Sequence, residues 1–176
     1  SICLITIDAA GTLIRPWPSV GAVYGKTARK HGLIVDDSVV DSRFYSVFGS
    51  AQKNKQIPGG EEKEFWRYVV YEVLRPFSNG RELHKIFEEL WDMFAHGDHW
   101  RLAEGAKNTL HQLLERGYRL AVLSNNDSRL RGVLKDLKID CLFEDIFISA
   151  ELGCEKPDLA IFRKVESQTG VGPNQI

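Results

Sequence analysis

Apolar residues follow two rhythms along this chain, and the change comes near residue 100. Ser1 to Ile7 is a short β-branched run that stops at Asp8 and a Gly-Thr turn, which reads as a buried strand ending in a loop. Pro16 and Pro18 interrupt regular structure after that turn. Ser19 is placed to cap a helix carrying Val20, Val23, Tyr24 and Ala28, and His31-Gly32 ends it. A second helix is predicted over Val39 to Phe48, then a polar, glycine-containing loop over Lys53 to Gly60. Glu61 to Phe77 sets Phe65, Trp66, Val69, Val70, Val73 and Leu74 at helical spacing. Arg81 to Ala95 repeats the pattern with Leu83, Ile86, Phe87, Leu90, Trp91 and Phe94.

Past this all-helical stretch, strands and helices alternate. Glu104 to Arg116 reads as a helix with Leu110, Leu113 and Leu114 inward and Gly117 at its C-terminal cap. Arg119 to Leu123 is a second apolar strand, followed by Ser124-Asn125-Asn126-Asp127 and a helix over Ser128 to Leu137. Ile146 to Ser149 is a third strand, and Pro157-Asp158 opens a last helix, Leu159 to Gln168. This order predicts an α/β fold: a Rossmann-like parallel sheet core with an inserted all-helical subdomain. The expected division is 1–14 and 101–176 for the core and 15–100 for the insert.

Composition narrows the partners. Hydrophobic residues make up 43% and charged residues 27% of the 176, an ordinary globular balance. The formal net charge of -1 argues for no nucleic-acid or acidic-membrane partner. Three widely spaced cysteines, Cys3, Cys141 and Cys154, form neither a disulfide framework nor a zinc motif. They read as reduced thiols of an intracellular, most simply cytoplasmic, protein. No apolar run approaches the ~20 residues that span a bilayer, and no basic, apolar leader pattern is visible ahead of the first strand.

Ligands of open α/β sheets bind beyond the carboxyl ends of the strands. That rule gathers Asp8, Ser124-Asn125 and the segment after Ser149, with Lys156, at one edge. A carboxylate there can attack a phosphoryl group, a nearby cation can offset its charge, and a hydroxyl with backbone N–H groups can hold equatorial oxygens.

At these residues the chain resembles the haloacid dehalogenase-like hydrolase superfamily. Ile5-Thr6-Ile7-Asp8-Ala9-Ala10-Gly11-Thr12-Leu13 is similar to its first motif, and Leu120-Ala121-Val122-Leu123-Ser124-Asn125 to its second. Ser149-Ala150-Glu151-Leu152-Gly153-Cys154-Glu155-Lys156-Pro157-Asp158 is similar to its third, and the insert to its helical cap. The resemblance implies Asp8 as nucleophile and metal ligand, Ser124 on a phosphoryl oxygen and Lys156 as the neutralising cation. It also implies substrate contacts from Asn125 and Thr12, and Mg²⁺ bound by Asp8 and the backbone carbonyl of Ala10. The implied activity is Mg-dependent hydrolysis of a small phosphorylated metabolite through an aspartyl-phosphate.

Two departures open alternatives. Family phosphatases carry an acid/base Asp two positions after the nucleophile, where this chain has Ala10. A fourth, acidic motif on a further strand is also expected, near Gly172 to Ile176, where the sequence ends. A shortened chain is one expectation, and a partner or dimer strand covering the open edge beside Ile2 to Ile7 is another. The alternative functions are a metal-independent 2-haloacid dehalogenase and a non-catalytic binding or scaffold protein. His96, Asp98, His99 and Glu104 fit no standard metal spacing, and Asp127 reads as a helix cap.

Overall fold

The computed structural model describes residues 1–53 and 62–176. Most of the predicted Lys53 to Gly60 loop, and Glu61 after it, therefore lie outside the described residues. In chain order the elements are β1 (Leu4–Ile7), β2 (Ile14–Pro16), α1 (Val20–Lys30), α2 (Asp37–Lys53), α3 (Glu62–Leu74) and α4 (Leu83–Met93). Next come β3 (Trp100–Leu102), α5 (Ala106–Glu115), β4 (Arg119–Ser124), α6 (Arg129–Asp136), β5 (Asp145–Ile148), α7 (Ser149–Leu152) and α8 (Leu159–Thr169). They divide into two compact units, Ser1–Arg15 with Arg101–Ile176, and Pro16–Trp100.

The first unit is built on a parallel sheet in the order β1-β4-β5. Leu4 to Ile7 pair with Arg119 to Val122, and Ala121 to Ser124 with Asp145 to Ile148. Every residue of β4 after Arg119 is buried, as a central strand with both faces covered requires. Leu4, Ala121, Leu123 and Phe147 pack with Ile161 and Val165 of α8 and with Val171. Among the described residues β1 pairs with no strand but β4, and the Cys3 N–H donates to the Gln175 carbonyl at 2.9 Å.

The helical unit buries the apolar faces of α1 to α4 in a core of its own. Aromatic rings link three helices: Tyr24 to Phe44 at 5.7 Å, Phe44 to Phe48 at 5.5 Å and Phe48 to Trp66 at 5.5 Å. Ser19 caps α1 as predicted, accepting from the Ala22 N–H at 3.0 Å. The second helix begins at Asp37, before the predicted Val39, because Asp36 Oδ1 accepts the N–H groups of Ser38 and Val39. Pairing of β2 with β3, three residues each, was not predicted, since such short segments show no readable alternation. No helix among the described residues is long and apolar enough to cross a membrane.

Two glycines set how closely α1 meets α2. The Gly21 N–H donates to Asp41 Oδ1 at 2.7 Å. A Cβ at Gly21 would collide with the Asp37 carbonyl and the Asp41 Cβ, and one at Gly25 with the Asp37 carboxylate. Gly49 of α2 would meet nothing within 4 Å. Intrinsic helix propensity favours Ala over Gly by about 1 kcal/mol at each place, but overpacking against a backbone costs about 1–3 kcal/mol. Gly21→Ala is thus expected to lower the unfolding free energy by up to about 2 kcal/mol, and Gly49→Ala to raise it by about 0.5–1 kcal/mol. Urea unfolding of the two variants measures both signs; a stabilised Gly21→Ala protein would refute this account of the α1–α2 contact.

Candidate active site

The ends of three parallel strands bring the polar residues together. The register sets Ile7 beside Val122 and Ser124 beside Ile148, so Asp8, Asn125 and Ser149 each follow a strand at the same edge of the sheet. The chain turns sharply after Asp8. The buried Ala9 carbonyl accepts the N–H groups of Thr12, Leu13 and Ile14 at 3.0, 2.8 and 3.1 Å. Gly11 has φ +86°, a left-handed conformation that suits glycine, and its N–H donates to the Ile14 carbonyl. The loop's bonds run to the Ala9 and Ile14 carbonyls and leave the Ala10 carbonyl outside them.

Asp8 Oδ1 accepts its neighbour's Ala9 N–H at 2.9 Å and faces Lys156 Nζ at 3.0 Å. Oδ2 accepts no hydrogen bond among the described residues. The Lys156 ammonium also donates to the Leu123 carbonyl at 2.8 Å, the last but one residue of β4. Ser124, at the end of that strand, is only 1% exposed. Thr12 is exposed and closes the turn through its N–H. Its side chain makes no hydrogen bond to Asp8, Ser124 or Lys156.

The residues after Ser124 stitch the loops together. Asn125 Nδ2 donates to the Lys156 carbonyl at 2.9 Å, and the Lys156 N–H donates to Asn125 Oδ1 at 2.8 Å. Ser149 Oγ accepts the Asn126 N–H at 3.1 Å and donates to the Asn126 carbonyl at 3.2 Å. Ser149 was assigned no role from sequence; a hydroxyl at a strand end is the only signal it gave. Asp127 lies just before Ser128, the N-cap of α6; its Oδ1 accepts the Arg129 N–H, and its carboxylate binds the Arg129 guanidinium at 2.8 and 2.9 Å. Asp158 caps α8 by accepting the Ala160 N–H.

Metal donors are few. The Asp8 carboxylate and the Ala10 carbonyl are hard oxygens of the kind Mg²⁺ takes, and Mg²⁺ fills its remaining positions with waters and substrate phosphate. Among the described residues no group of three His, Cys, Asp or Glu side chains could hold a metal ion. In the helical unit, burial is the main cause that pushes the His99 imidazole below its ordinary pKa, partly offset by Asp98.

A model of the haloacid dehalogenase-like hydrolase family matches residues 2–176. Haloacid dehalogenase-like hydrolase domain-containing protein 3 of Mus musculus is 32% identical over 178 residues, 97% of this chain and 70% of that protein. The helical insert and the Ser-Glu-Gly-Lys-Pro-Asp pattern of residues 149–158 point to the same group. Among solved structures, a dehalogenase superposes with a TM-score of 0.71 at 21% identity, covering 99% of this chain and 74% of that one. A predicted phosphoglycolate phosphatase from Haemophilus somnus gives 0.68 at 22% identity, covering 99% and 75%. At such identity these two show the fold alone.

The buried Asp127–Arg129 pair generates a stability prediction. Their side chains are 7% and 18% exposed, so Asp127→Ala takes away a charge-assisted pair that is largely shielded from water. Asp127→Ala also removes the acceptor of the Arg129 N–H at the start of α6. The expected loss is about 1.5–3 kcal/mol of unfolding free energy, read by urea denaturation. A loss within ~0.5 kcal/mol, the range of ordinary surface substitutions, would show that the pair does not hold the loop.

Proposed function

Because this chain belongs to the haloacid dehalogenase-like hydrolase family, we propose that it is a phosphatase of a small phosphorylated metabolite, using Asp8 as nucleophile. The observation that carries this reading is the Lys156 ammonium 3.0 Å from Asp8 Oδ1 at the strand ends. A carboxylate repels a phosphate dianion, and a fixed ammonium beside it reduces that repulsion. Asp8 Oδ2 attacks phosphorus, the bond to the leaving oxygen breaks, and its electron pair leaves with that oxygen. Water then attacks the aspartyl-phosphate, releasing inorganic phosphate and restoring the carboxylate. Ser124 and nearby backbone N–H groups bind the equatorial oxygens. Asp8 and the Ala10 carbonyl would hold Mg²⁺, which when bound offsets the charge of the transferring phosphoryl group.

Ala10 shapes the rest. A methyl group cannot protonate the leaving oxygen, so that proton comes from solvent, and general acid/base help worth roughly 10²- to 10⁴-fold is missing at this position. The same methyl favours a second reading, displacement of halide from a 2-haloacid by Asp8, since a departing halide needs no proton.

The test is an aryl phosphate and a panel of 2-haloacids, each with and without Mg²⁺, against the protein and its Asp8→Asn and Ala10→Asp variants. Phosphate release that depends on Mg²⁺, disappears in Asp8→Asn and rises roughly 10²-fold or more in Ala10→Asp is the expected result. Halide release indifferent to a chelator would replace the phosphatase reading with the second. Turnover of neither substrate class would leave a binding or scaffold protein.

A further inference from the structure

We infer that Asn125 is a positioning residue for Lys156. It holds the lysine's main chain so that the ammonium stays between Asp8 and the Leu123 carbonyl. The inference deepens the proposed function and rests on it for its catalytic consequence, though not for its geometry. Asn125 is exposed, yet both heteroatoms of its amide are bonded to one residue's backbone, 31 positions further along the chain. The bonds are reciprocal, one donated to the Lys156 carbonyl at 2.9 Å and one accepted from its N–H at 2.8 Å. Such a pair fixes distance and orientation together. A lysine side chain carries about 2 kcal/mol of rotamer entropy, so its ammonium is a poor fixed charge unless its stem is anchored. Here both ends are held: the main chain by Asn125, the ammonium by the Leu123 carbonyl at 2.8 Å and Asp8 at 3.0 Å.

The neighbouring bonds explain why the clamp reaches across. Ser124 pairs with Ile148, so the residues after each strand run on side by side, and Ser149 fastens Asn126 through its hydroxyl. Asn125 then has the reach to fasten Lys156. No side chain of another type at this position both donates and accepts with the same planar geometry and length. Aspartate keeps the acceptor for the Lys156 N–H and loses the donor for its carbonyl. Alanine loses both.

The experiment uses the whole chain and its Asn125→Ala and Asn125→Asp variants, with two readouts. The first is the ¹⁵N–¹H signal of the Lys156 ammonium, assigned with a Lys156→Arg variant, which is observed only while its protons are held against exchange with water. It is expected in the parent, absent in Asn125→Ala and weakened in Asn125→Asp. The second is steady-state hydrolysis of an aryl phosphate. Displacing a catalytic charge by about 1 Å lowers kcat by about 10- to 10²-fold, with KM changed less than about threefold. A residue that bound substrate directly would instead raise KM and leave the ammonium signal intact, and that result would overturn the inference. If Asn125→Ala fails to fold, Asn125→Asp decides by the same two readouts. If the parent hydrolyses no phosphate ester, the functional reading fails, while an ammonium signal unchanged by either variant refutes the clamp alone.

Discussion

One ion pair organises this sheet edge, the carboxylate of Asp8 facing the ammonium of Lys156. The two side chains are 43% and 26% exposed, so their mutual attraction is screened and adds little to stability. Its weight is geometric. The pair forms only because β1 and β4 run parallel and in register, which places Asp8 beside the strand whose Leu123 carbonyl receives the lysine. A slip of one residue in that pairing would turn each β4 side chain to the other face of the sheet and dissolve the arrangement.

Much of this was legible in the sequence. The three apolar strands, the helices on either side of them and the helical stretch between Pro16 and Trp100 follow from period and from punctuation by Gly, Pro and Ser. What periodicity could not read were elements defined by partners. Pairing of β2 with β3 involves segments too short to alternate, and α7 is a single turn between Ile148 and Gly153. The early start of α2 hung on Asp36, a cap residue whose role depends on a turn that must form first. Gly21 and Gly25 carried no pattern at all; their need to be small exists only once α2 lies against them.

The candidate site divides in the same way. Asp8, Ser124 and Lys156 were placed at one edge by the rule for parallel sheets, and the coordinates bring Asp8 and Lys156 within 3.0 Å. The rule gave no means of sorting the four polar residues after Leu123. Ser124, Asn125, Asn126 and Asp127 look alike as a polar loop. In the structure Asn125 takes the Lys156 main chain, Asn126 takes Ser149 and Asp127 takes Arg129 and the first turn of α6.

Chemistry depends on how those groups are shared out. The side chain of Asn125, the backbone of Asn126 and the carboxylate of Asp127 already serve the scaffold, so the polarity they contribute holds loops in place. Ser124, buried at the end of the central strand, is not among the side chains that tie these loops together. Asp8 shows the same asymmetry within one group: Oδ1 is engaged by Ala9 and Lys156, and Oδ2 is left for chemistry. Polar atoms that stay unengaged amid a network otherwise satisfied are those able to meet an incoming anion without first breaking a bond, which is what a preorganised site requires. On the proposed phosphatase reading, the unengaged Asp8 Oδ2 is the atom offered to substrate, with the Lys156 ammonium held beside the same carboxylate.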